Sequence, residues 1–318
     1  MPHTIRIGTR ASRLAMWQAE RVRDTIQERE PASAFEIVPI RSSGDEKQHQ
    51  NIADLGIIGI FTREIEGALL DGRIDIAVHS LKDLPTESPP GLRLAAVLPR
   101  DDPRDVLVSG ALYGIDPEDA RLAISALPRA STVGTSSLRR RAEMLRVRSD
   151  LHMVEVRGNV PTRLAKVEEG EIDAVLLSAA GLDRLGLQPP GMVRIPPELM
   201  MPAPAQGTIA VQVRTEDRGT TAIAARIDDH ATRLTTGVER MLLHALHGGC
   251  RIPLGAFATL DGDTLHLRAR LLTPNGATCL EFADRAASSD SEALARGVAN
   301  DLLKRGARRI LDDLRSTP

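Results

Sequence analysis

Short apolar runs alternate with helix-like stretches over the first 215 residues, and this alternation restricts the fold more than any other feature of the sequence. Ile5–Gly8 and Phe35–Ile40 have the length and apolar content of strands. Strands separated by helices in this way pair in parallel, so the sequence predicts an α/β protein with mostly parallel sheets. One face of the helix between the two strands is marked by Ala15, Ala19, Val22 and Ile26.

The same alternation continues along the chain, interrupted by proline-rich stretches that suggest domain boundaries. One such stretch ends near residues 99–105, and a second, from Pro196 to Pro204, has the character of a crossover. We therefore expect three domains, formed by residues 1–100 with 207–227, by residues 101–206, and by residues 228–318. The further strands are predicted at Ile74–Val78, Met153–Val156, Ala174–Ser178 and Ile209–Arg214, and further helices at Phe61–Leu70 and Leu138–Val147.

The last ninety or so residues have a different pattern, which predicts a small α+β domain. A helical pattern ends at Gly248-Gly249, as is typical of a helix C-terminus. Phe257–Leu260 and Leu265–Leu271 flank a turn and predict a hairpin. A C-terminal helix carries Leu294, Val298 and Leu302 on one face.

Composition and charge exclude several classes of function. A net charge of −2 and an aromatic content of 2% do not suit a nucleic-acid-binding protein. No apolar run approaches the length of a membrane span, and no secretory segment is recognisable near Met1. The two cysteines give no disulfide framework. We therefore expect a cytoplasmic protein with neither a nucleic-acid nor a membrane partner.

One of these cysteines, Cys250, lies in the run HGGCRIPLG, where glycines and a proline leave room for a large group to approach the sulfur. Arg251 favours the thiolate and would attract an anionic reactant. These residues indicate a nucleophilic or attachment thiol. The alternative is a small residue in a tight turn. A zinc site formed with His244 and His247 is a weaker alternative, because no fourth ligand is evident nearby, and we expect no metal.

Polar and basic side chains follow the predicted strands where the strands end. Ligands of open α/β sheets bind beyond these carboxyl ends, and guanidinium groups pair bidentately with carboxylates or phosphates. Taken singly, each residue has an ordinary alternative, such as a solvated arginine, a helix N-cap, or an ion pair between Asp83 and Lys82. Together they predict a cleft for a polyanion, lined by Arg10, Ser12, Ser80, Asp83, Thr135, Ser136, Ser137, Arg139, Arg140, Arg157, Arg163 and Arg184.

Four motifs resemble, in order along the chain, those of the porphobilinogen deaminase (hydroxymethylbilane synthase) family. They are VHSLKD at Val78–Asp83, VGTSSLRR at Val133–Arg140, RGN at Arg157–Asn159 and GGC at Gly248–Cys250. The resemblance implies two domains like those of periplasmic binding proteins plus a small third domain. It also implies a monomeric transferase of tetrapyrrole and haem biosynthesis. Such an enzyme joins four porphobilinogen molecules head to tail, releasing ammonia, to give hydroxymethylbilane.

The resemblance further implies a dipyrromethane cofactor, held by a thioether to Cys250 and extended as a primer. Asp83 matches the catalytic aspartate, which would stabilise the cation formed as ammonia leaves. Besides Cys250, the cofactor-binding residues would be Ser12, Ser80, Lys82, Thr135, Ser136, Arg139, Arg140, Arg157 and Arg184. The substrate-binding residues would be Arg10, Ser12, Phe61, Arg157, Arg163, Arg184 and Gln206.

The chain departs from the family pattern before the second predicted helix. The family has Gly-Gly-Lys-Gly-Leu-Phe where this chain has Gly56–Phe61, so Ile58 replaces a lysine, and Asp54 stands at an upstream basic position. We expect this departure to alter the rate of turnover and the affinity for the growing chain. Two other functions stay open at this point. One is a protein that binds a small anion reversibly, and the other is a degenerate deaminase that keeps its cofactor but elongates poorly.

Overall fold

A computed structural model describes residues 4–40, 62–246 and 252–316 of the chain. The described strands are β1 (Thr4–Arg10), β2 (Ala34–Ile40), β3 (Ile76–Ser80), β4 (Leu92–Val97), β5 (Asp105–Ser109), β6 (Thr132–Gly134), β7 (His152–Val154), β8 (Ala174–Ser178), β9 (Met192–Ile195), β10 (Ile209–Arg214), β11 (Leu254–Asp261), β12 (Thr264–Leu272) and β13 (Cys279–Ala287). The described α-helices are α1 (Arg13–Arg29), α2 (Arg63–Leu70), α3 (Ala120–Ala126), α4 (Leu138–Val147), α5 (Val160–Glu168), α6 (Ala179–Arg184), α7 (Arg218–Ala225), α8 (His230–Ala245), α9 (Ser291–Lys304) and α10 (Ala307–Ser316).

The chain divides into two compact units, each built from two separate segments. The first unit comprises the described residues within Met1–Asp101 and Thr208–Arg233, and the second those within Asp102–Gly207 and Leu234–Pro318. Each unit therefore contains a segment from each side of the 207/208 boundary. The division into three domains stays a prediction.

The first unit is organised around a sheet with the strand order β2-β1-β3-β10-β4. β1 pairs in parallel with β2 and β3, whereas β10 is antiparallel to both β3 and β4. Apolar residues of α1, such as Val22 and Ile26, pack on one face, and Ile65 and Leu69 of α2 pack on the other. Burial on both faces explains why β3 and β10 read as almost continuous apolar runs.

The second unit contains a sheet with the equivalent pattern of strand directions, in the order β7-β6-β8-β5-β9. β6 pairs in parallel with β7 and β8, and β5 is antiparallel to β8 and β9. Met144 of α4 packs on one face together with α3, and Leu164 of α5 and Leu182 of α6 pack on the other. The side chains at the carboxyl ends of β6 and β8, two parallel neighbours, therefore share one edge of this sheet.

The same unit also contains an antiparallel sheet with the order β11-β12-β13. One face is covered by α8, α9 and α10, whose residues Leu242, Val298 and Ile310 enter one apolar cluster with Leu267 and Leu271 of β12. The burial of Leu294, Val298 and Leu302 confirms the helix face predicted from the sequence. The predicted fold class is confirmed, because α/β sheets occur together with a C-terminal α+β part. The two α/β sheets are mixed and not mostly parallel, since two of the four strand pairings in each are antiparallel.

Within the second unit, the C-terminal sheet packs against α4 and against the crossover segment, which we define as residues 196–207. The Ala256 amide donates to the Pro202 carbonyl at 2.9 Å. A Cβ at Gly255 would lie 2.5 Å from Cβ of Met201, and one at Gly276 would lie 2.5 Å from the Ala142 carbonyl oxygen. These backbones approach so closely that glycine is required at both positions.

Most strands and helices lie where the sequence predicts them. Leu138–Val147, Ala174–Ser178 and Ile209–Arg214 agree residue for residue. The strand predicted at Met153–Val156 begins and ends earlier, as β7. β13 was not predicted, because its sequence CLEFADRAA mixes alanine and charged residues and its side chains are largely exposed. Among the described residues, no helix is both long and apolar enough to span a bilayer.

Candidate active site

In the first unit, the strand-end residues follow two adjacent parallel strands, β1 and β3. Thr9 is buried, and its hydroxyl donates to the Ala15 carbonyl at 3.1 Å. Ser12 is the N-cap of α1, where its Oγ accepts from the Ala15 amide at 3.3 Å. Both contacts hold the β1–α1 turn in place. Arg10 is half-buried in this turn, at the edge where β3 also ends.

At the end of β3, a single 3₁₀ turn, Leu81–Asp83, carries the aspartate out of the sheet. Ser80 exchanges hydrogen bonds with the side-chain amide of Gln18, at 3.0 and 3.3 Å. Leu81 is buried, and its amide donates to the Thr208 carbonyl at 2.9 Å. Because Leu81 is fixed inward, Lys82 is half-buried and Asp83 is exposed at the carboxyl end of the strand. A carboxylate exposed in this position can contact a ligand.

His79, one residue before Ser80, is buried in the same strand. Burial lowers its pKa to about 4, an effect that the neighbouring side chain of Gln212 opposes only in part. The imidazole is therefore neutral at neutral pH. Gln212, also buried, donates to Glu66 of α2 at 3.1 Å. Polar side chains thus lie within the core of the first unit, next to the strand end that carries Asp83.

In the second unit, the motif VGTSSLRR forms the end of β6 and the first turn of α4. Ser137 is the N-cap, and its Oγ accepts from the Arg140 amide. Thr135 is buried and accepts from the Ser137 amide at 3.2 Å, whereas Ser136 is exposed. The motif therefore acts as an N-cap and also places two arginines in the first turn of the helix. Arg139 and Arg140 are 4% and 7% exposed.

Both arginines pair with the carboxylate of Asp105, the first residue of β5. Nη1 of Arg139 lies 2.6 Å from Oδ2, and Nε of Arg140 lies 2.9 Å from Oδ1. Asp105 is fully buried. Burial alone would raise its pKa, but the two guanidinium groups outweigh that effect and hold the pKa of Asp105 below its ordinary value. The carboxylate is therefore ionised.

The end of the crossover segment joins the same cluster. The buried amide of Gln206 donates to Oδ1 of Asp105 at 3.0 Å and to the Pro103 carbonyl at 2.7 Å. Arg184, at the end of α6, is also buried and donates to the Gly207 carbonyl at 2.8 Å. Residues that the sequence places far apart are thus connected within the second unit.

Arg157 and Arg163 follow β7, around the turn that leads into α5. Nε of Arg157 lies 2.9 Å from Oε1 of Glu155. Nε of Arg163 donates to the Gly158 carbonyl at 2.8 Å. Gly158 has a φ of +104°, which glycine adopts without strain. Both arginines are half-buried.

The donor set of the second unit fits a group that bears carboxylates. Two guanidinium groups share the carboxylate of Asp105. Nε of Arg139 is buried and has no hydrogen-bond acceptor among the described residues. A buried donor without an acceptor is costly unless a ligand supplies one.

Asp105 was not predicted as a site residue, because it reads as part of a proline-containing boundary, Asp102-Pro103-Arg104-Asp105. A usable signal was present, since an acidic residue directly precedes the buried run Val106–Ser109. An acid at the start of such a strand needs a buried partner.

The predicted site residues fall into groups by unit. Arg10, Ser12, Ser80, Lys82 and Asp83 belong to the first unit, and the others that are described belong to the second. Asp105 brings together Arg139, Arg140 and Gln206. Cys250, Phe61 and the altered loop at Gly56–Gly59 lie outside the described residues. Residues 4–40, 62–246 and 252–316 contain no group of three or more His, Cys, Asp or Glu side chains that could hold a metal ion, and His247 lies outside these ranges.

Comparison with known sequences gives one consistent result. Residues 5–222 match the family described as "Porphobilinogen deaminase, dipyromethane cofactor binding domain", and residues 234–304 match "Porphobilinogen deaminase, C-terminal domain". A porphobilinogen deaminase from Syntrophomonas wolfei is 40% identical over 311 residues, which cover 98% of this chain and 99% of that protein.

Solved structures with a partial likeness include an effector-binding domain and a solute-binding protein. The BenM effector-binding domain with benzoate is 18% identical and has a TM-score of 0.40, over 70% of this chain and 88% of that one. An ancestral cationic amino acid solute-binding protein is 13% identical and has a TM-score of 0.43, over 70% and 87%. With TM-scores below 0.5, neither likeness says anything about the ligand of this chain.

Proposed function

The chain belongs to the porphobilinogen deaminase family, and on that basis we propose that Asp83 is its catalytic group and that Cys250 carries its cofactor. The enzyme is a hydroxymethylbilane synthase, a transferase of tetrapyrrole biosynthesis. It joins four porphobilinogen molecules head to tail, with release of ammonia, to give hydroxymethylbilane. Its cofactor is dipyrromethane.

The position of Asp83 supports the catalytic role that the family motif suggests for it. Its side chain is exposed at the carboxyl end of β3, on a turn that the buried Leu81 fixes. A carboxylate there can accept a hydrogen bond from a pyrrole N–H and stabilise positive charge that develops as ammonia leaves. It can also move a proton at its own oxygens. Ser80 and Lys82, on either side of Leu81, would assist in binding.

The basic residues of the second unit support binding of the carboxylate side chains. Each porphobilinogen brings an acetate and a propionate group, so a growing chain accumulates negative charge. Arg139 and Arg140 are buried, and Nε of Arg139 has no acceptor among the described residues, which supports binding of a ligand with carboxylates. We assign the same role to Arg157, Arg163 and Arg184, with Thr135, Ser136 and Gln206 assisting, and to Arg10 and Ser12 in the first unit.

The cofactor, when bound, supplies a covalently held primer for extension. Cys250 would hold it through a thioether, because glycines beside it in the sequence leave room for a large group and Arg251 would favour the thiolate. A reducing compartment preserves such a thiol, and we therefore also propose a cytoplasmic enzyme. We further propose that it acts as a monomer, as its family suggests, with porphobilinogen as its partner and no nucleic acid, since its net charge is only −2.

The intact mass of the purified protein tests these assignments. We expect an excess of two pyrrole units, located on the peptide that contains Cys250, and a ladder of further single units after a short incubation with porphobilinogen. An unchanged mass in both samples would instead indicate reversible binding of an anion. A ladder that stops after the first additions would indicate an enzyme that elongates poorly.

The second cysteine provides a matched control. Cys279 is exposed at the start of β13. Cys250→Ala should abolish the mass excess, and Cys279→Ala should retain it. An adduct that persists in Cys250→Ala and disappears in Cys279→Ala would contradict the assignment of the attachment site.

A further inference from the structure

The carboxylate of Glu239, on α8, accepts hydrogen bonds from two backbone amides that lie far apart in the sequence. Oε1 accepts from the Ala258 amide of β11 at 2.7 Å, and Oε2 accepts from the Ala205 amide of the crossover segment at 2.6 Å. Glu239 and Ala205 are fully buried. A glutamine could not make both contacts, because its side chain has one acceptor oxygen and its other end is a donor.

Two of the three groups in this arrangement are fixed independently of the crossover segment. Ala258 pairs with Leu267 of β12, so its position is set by the C-terminal sheet. Val238 and Leu242, on either side of Glu239 along α8, are fully buried in the apolar cluster that packs this helix on the sheet. Glu239 therefore reaches Ala205 from a rigid support.

Ala205 lies at the strained position of a tight turn. The Gln206 amide donates to the Ala203 carbonyl at 3.0 Å, which closes a turn around Pro204 and Ala205. The φ of Ala205 is +62°. Since proline cannot adopt a positive φ, this is the pattern of a type II turn, which favours glycine at its third residue. An alanine there is strained and persists only where its surroundings hold it.

The two residues after this turn make the contacts that connect the crossover segment to the predicted site. The side-chain amide of Gln206 donates to Oδ1 of Asp105 at 3.0 Å and to the Pro103 carbonyl at 2.7 Å. The Gly207 carbonyl accepts from Arg184 at 2.8 Å. The direction in which the chain leaves Ala205 therefore determines where Gln206 and the Gly207 carbonyl lie.

We propose that Glu239 is a positioning residue, which holds Ala205 in its strained conformation and thereby orients Gln206 and, through the Gly207 carbonyl, Arg184. The proposal rests on the substrate-binding roles proposed above for Gln206 and Arg184. Glu239 acts in this role through the backbone of the crossover segment. Its contribution can be isolated at residue 205, because other contacts of Glu239 do not depend on the turn.

The experiment compares the full-length, cofactor-loaded enzyme with Glu239→Gln, Ala205→Gly and the double variant. In Glu239→Gln, one buried amide must face a donor. Ala258 is held by its strand, so the strained turn at Ala205 should give way. We expect KM for porphobilinogen to rise about tenfold with little change in kcat, and the melting temperature to fall by several degrees.

The double variant separates this role from general support of the fold. Glycine adopts a positive φ without strain, so the turn should keep its conformation even without the contact to Glu239. We expect KM of the double variant to return towards that of the unaltered chain, while its melting temperature stays low because the buried amide is still unpaired. A KM of the double variant equal to that of Glu239→Gln would overturn the proposal.

Asp228→Asn is the control for loss of stability alone. Asp228 also accepts from a backbone amide, that of Val97 at 2.8 Å, and it pairs with Arg233. Its replacement should lower the melting temperature and leave KM unchanged. A rise in KM equal to that of Glu239→Gln would show that lost stability explains the effect, and would overturn the proposal.

Glu239→Asp covers the case in which Glu239→Gln does not fold. It keeps the charge, but a side chain shorter by one methylene cannot reach both amides. We expect KM to rise in this variant and to recover when Ala205→Gly is added. An unchanged KM in Glu239→Asp would contradict the proposal.

Amide hydrogen exchange of residues 203–207 distinguishes failure of this inference from failure of the site assignment. Exchange should be faster in Glu239→Gln than in the unaltered chain. Unchanged exchange would show that Glu239 does not hold the turn, and this inference would be wrong. Faster exchange with an unchanged KM would show that the turn is held as proposed but that Gln206 and Arg184 do not bind the substrate, so the site assignment would fail.

Discussion

Glu143 of α4 and Arg270 of β12 form a fully buried ion pair, in which Nη1 of Arg270 lies 3.0 and 3.2 Å from the two carboxylate oxygens. Arg270 also contacts Glu281 at 2.8 Å and the Glu198 carbonyl at 3.2 Å. The pair connects the helix that carries Arg139 and Arg140 to the sheet of the C-terminal part. It therefore fixes the position of α4 relative to the sheet β11-β12-β13.

Breaking this ion pair should destabilise the protein strongly. Arg270→Leu leaves the carboxylate of Glu143 buried without its main partner, and we expect the free energy of unfolding to fall by about 3–5 kcal/mol. The control is Arg268→Leu, since Arg268 pairs with Glu198 and Glu281 on a partly exposed surface and should cost less than about 1 kcal/mol. Urea denaturation measures both. The double variant Glu143→Leu/Arg270→Leu should recover most of the loss, and a double variant no more stable than Arg270→Leu would contradict this account.

Removal of the charge on Asp83 should abolish turnover and leave the rest of the protein intact. In Asp83→Asn, we expect the rate of porphobilinogen consumption to fall by about 10²–10⁴-fold. The amide has no negative charge to stabilise the developing cation, and it cannot accept and return a proton as the carboxylate can. The fold and the cofactor mass should be retained, since the side chain is exposed.

Asp71→Asn is the control for that measurement. Asp71 is an exposed aspartate of the same unit, at the C-terminus of α2, and lies 3.6 Å from Arg73. Its replacement should leave the rate unchanged. Activity of Asp83→Asn close to that of Asp71→Asn would exclude a catalytic role for Asp83.

The buried His79 should make stability depend on pH between about 4 and about 6.5. Its pKa is about 4 in the folded state, because burial disfavours the charged form, and about 6.5 in an unfolded chain. Between these values the unfolded state binds more protons, so the free energy of unfolding rises with pH across this window. Across the whole window, His79 should change the free energy of unfolding by about 3 kcal/mol.

The comparison of His79→Leu with the unaltered chain isolates this contribution from that of the other titrating groups. The difference in free energy of unfolding between the two proteins, measured by urea denaturation from pH 4 to pH 7, should change with pH in this window and level off above it. A constant difference would contradict this account, because it would show that His79 has the same pKa in the folded and unfolded states.

Gly134, the last residue of β6, leads directly into the capping residues of α4. A Cβ added there would lie 2.5 Å from Cγ2 of Val156 and 2.6 Å from Cδ1 of Ile172. Gly134→Ala should therefore cost about 1–3 kcal/mol, because two buried side chains must move. Gly237→Ala is the control, since Gly237 lies within α8 with open space around it and alanine favours the helix by up to about 1 kcal/mol. Equal melting temperatures for the two variants would contradict the steric argument.

The sequence predicts the alternation of strands and helices well, because the buried positions of each element are apolar and therefore form a recognisable local pattern. Ala174–Ser178 and Ile209–Arg214 are buried on both faces, so each is an apolar run with clear ends. The N-cap of α4 is equally local, because Ser137 and the arginines lie within one turn.

The contacts around the predicted site could not be predicted from local sequence patterns. Asp105 and Arg139 are separated by 34 positions, and Gln206 lies 101 positions from Asp105. No local pattern records such a pairing, which depends on the order of strands in the sheet. The roles of Asp83 and Cys250 came from the resemblance to the family, and they stay predictions here.

The position of β10 has a consequence for synthesis of the protein. β10 lies between β3 and β4, which pair with it and not with each other, although it follows them by more than a hundred residues in the chain. Until residue 214 has left the ribosome, the nascent first sheet lacks its inner strand and exposes the unpaired edges of β3 and β4. Residues 102–207 emerge during that interval, so the first unit completes its sheet late, through contacts of high sequence separation. A nascent chain that stalls before β10 would carry two open strand edges, to which chaperones or a second nascent chain could bind.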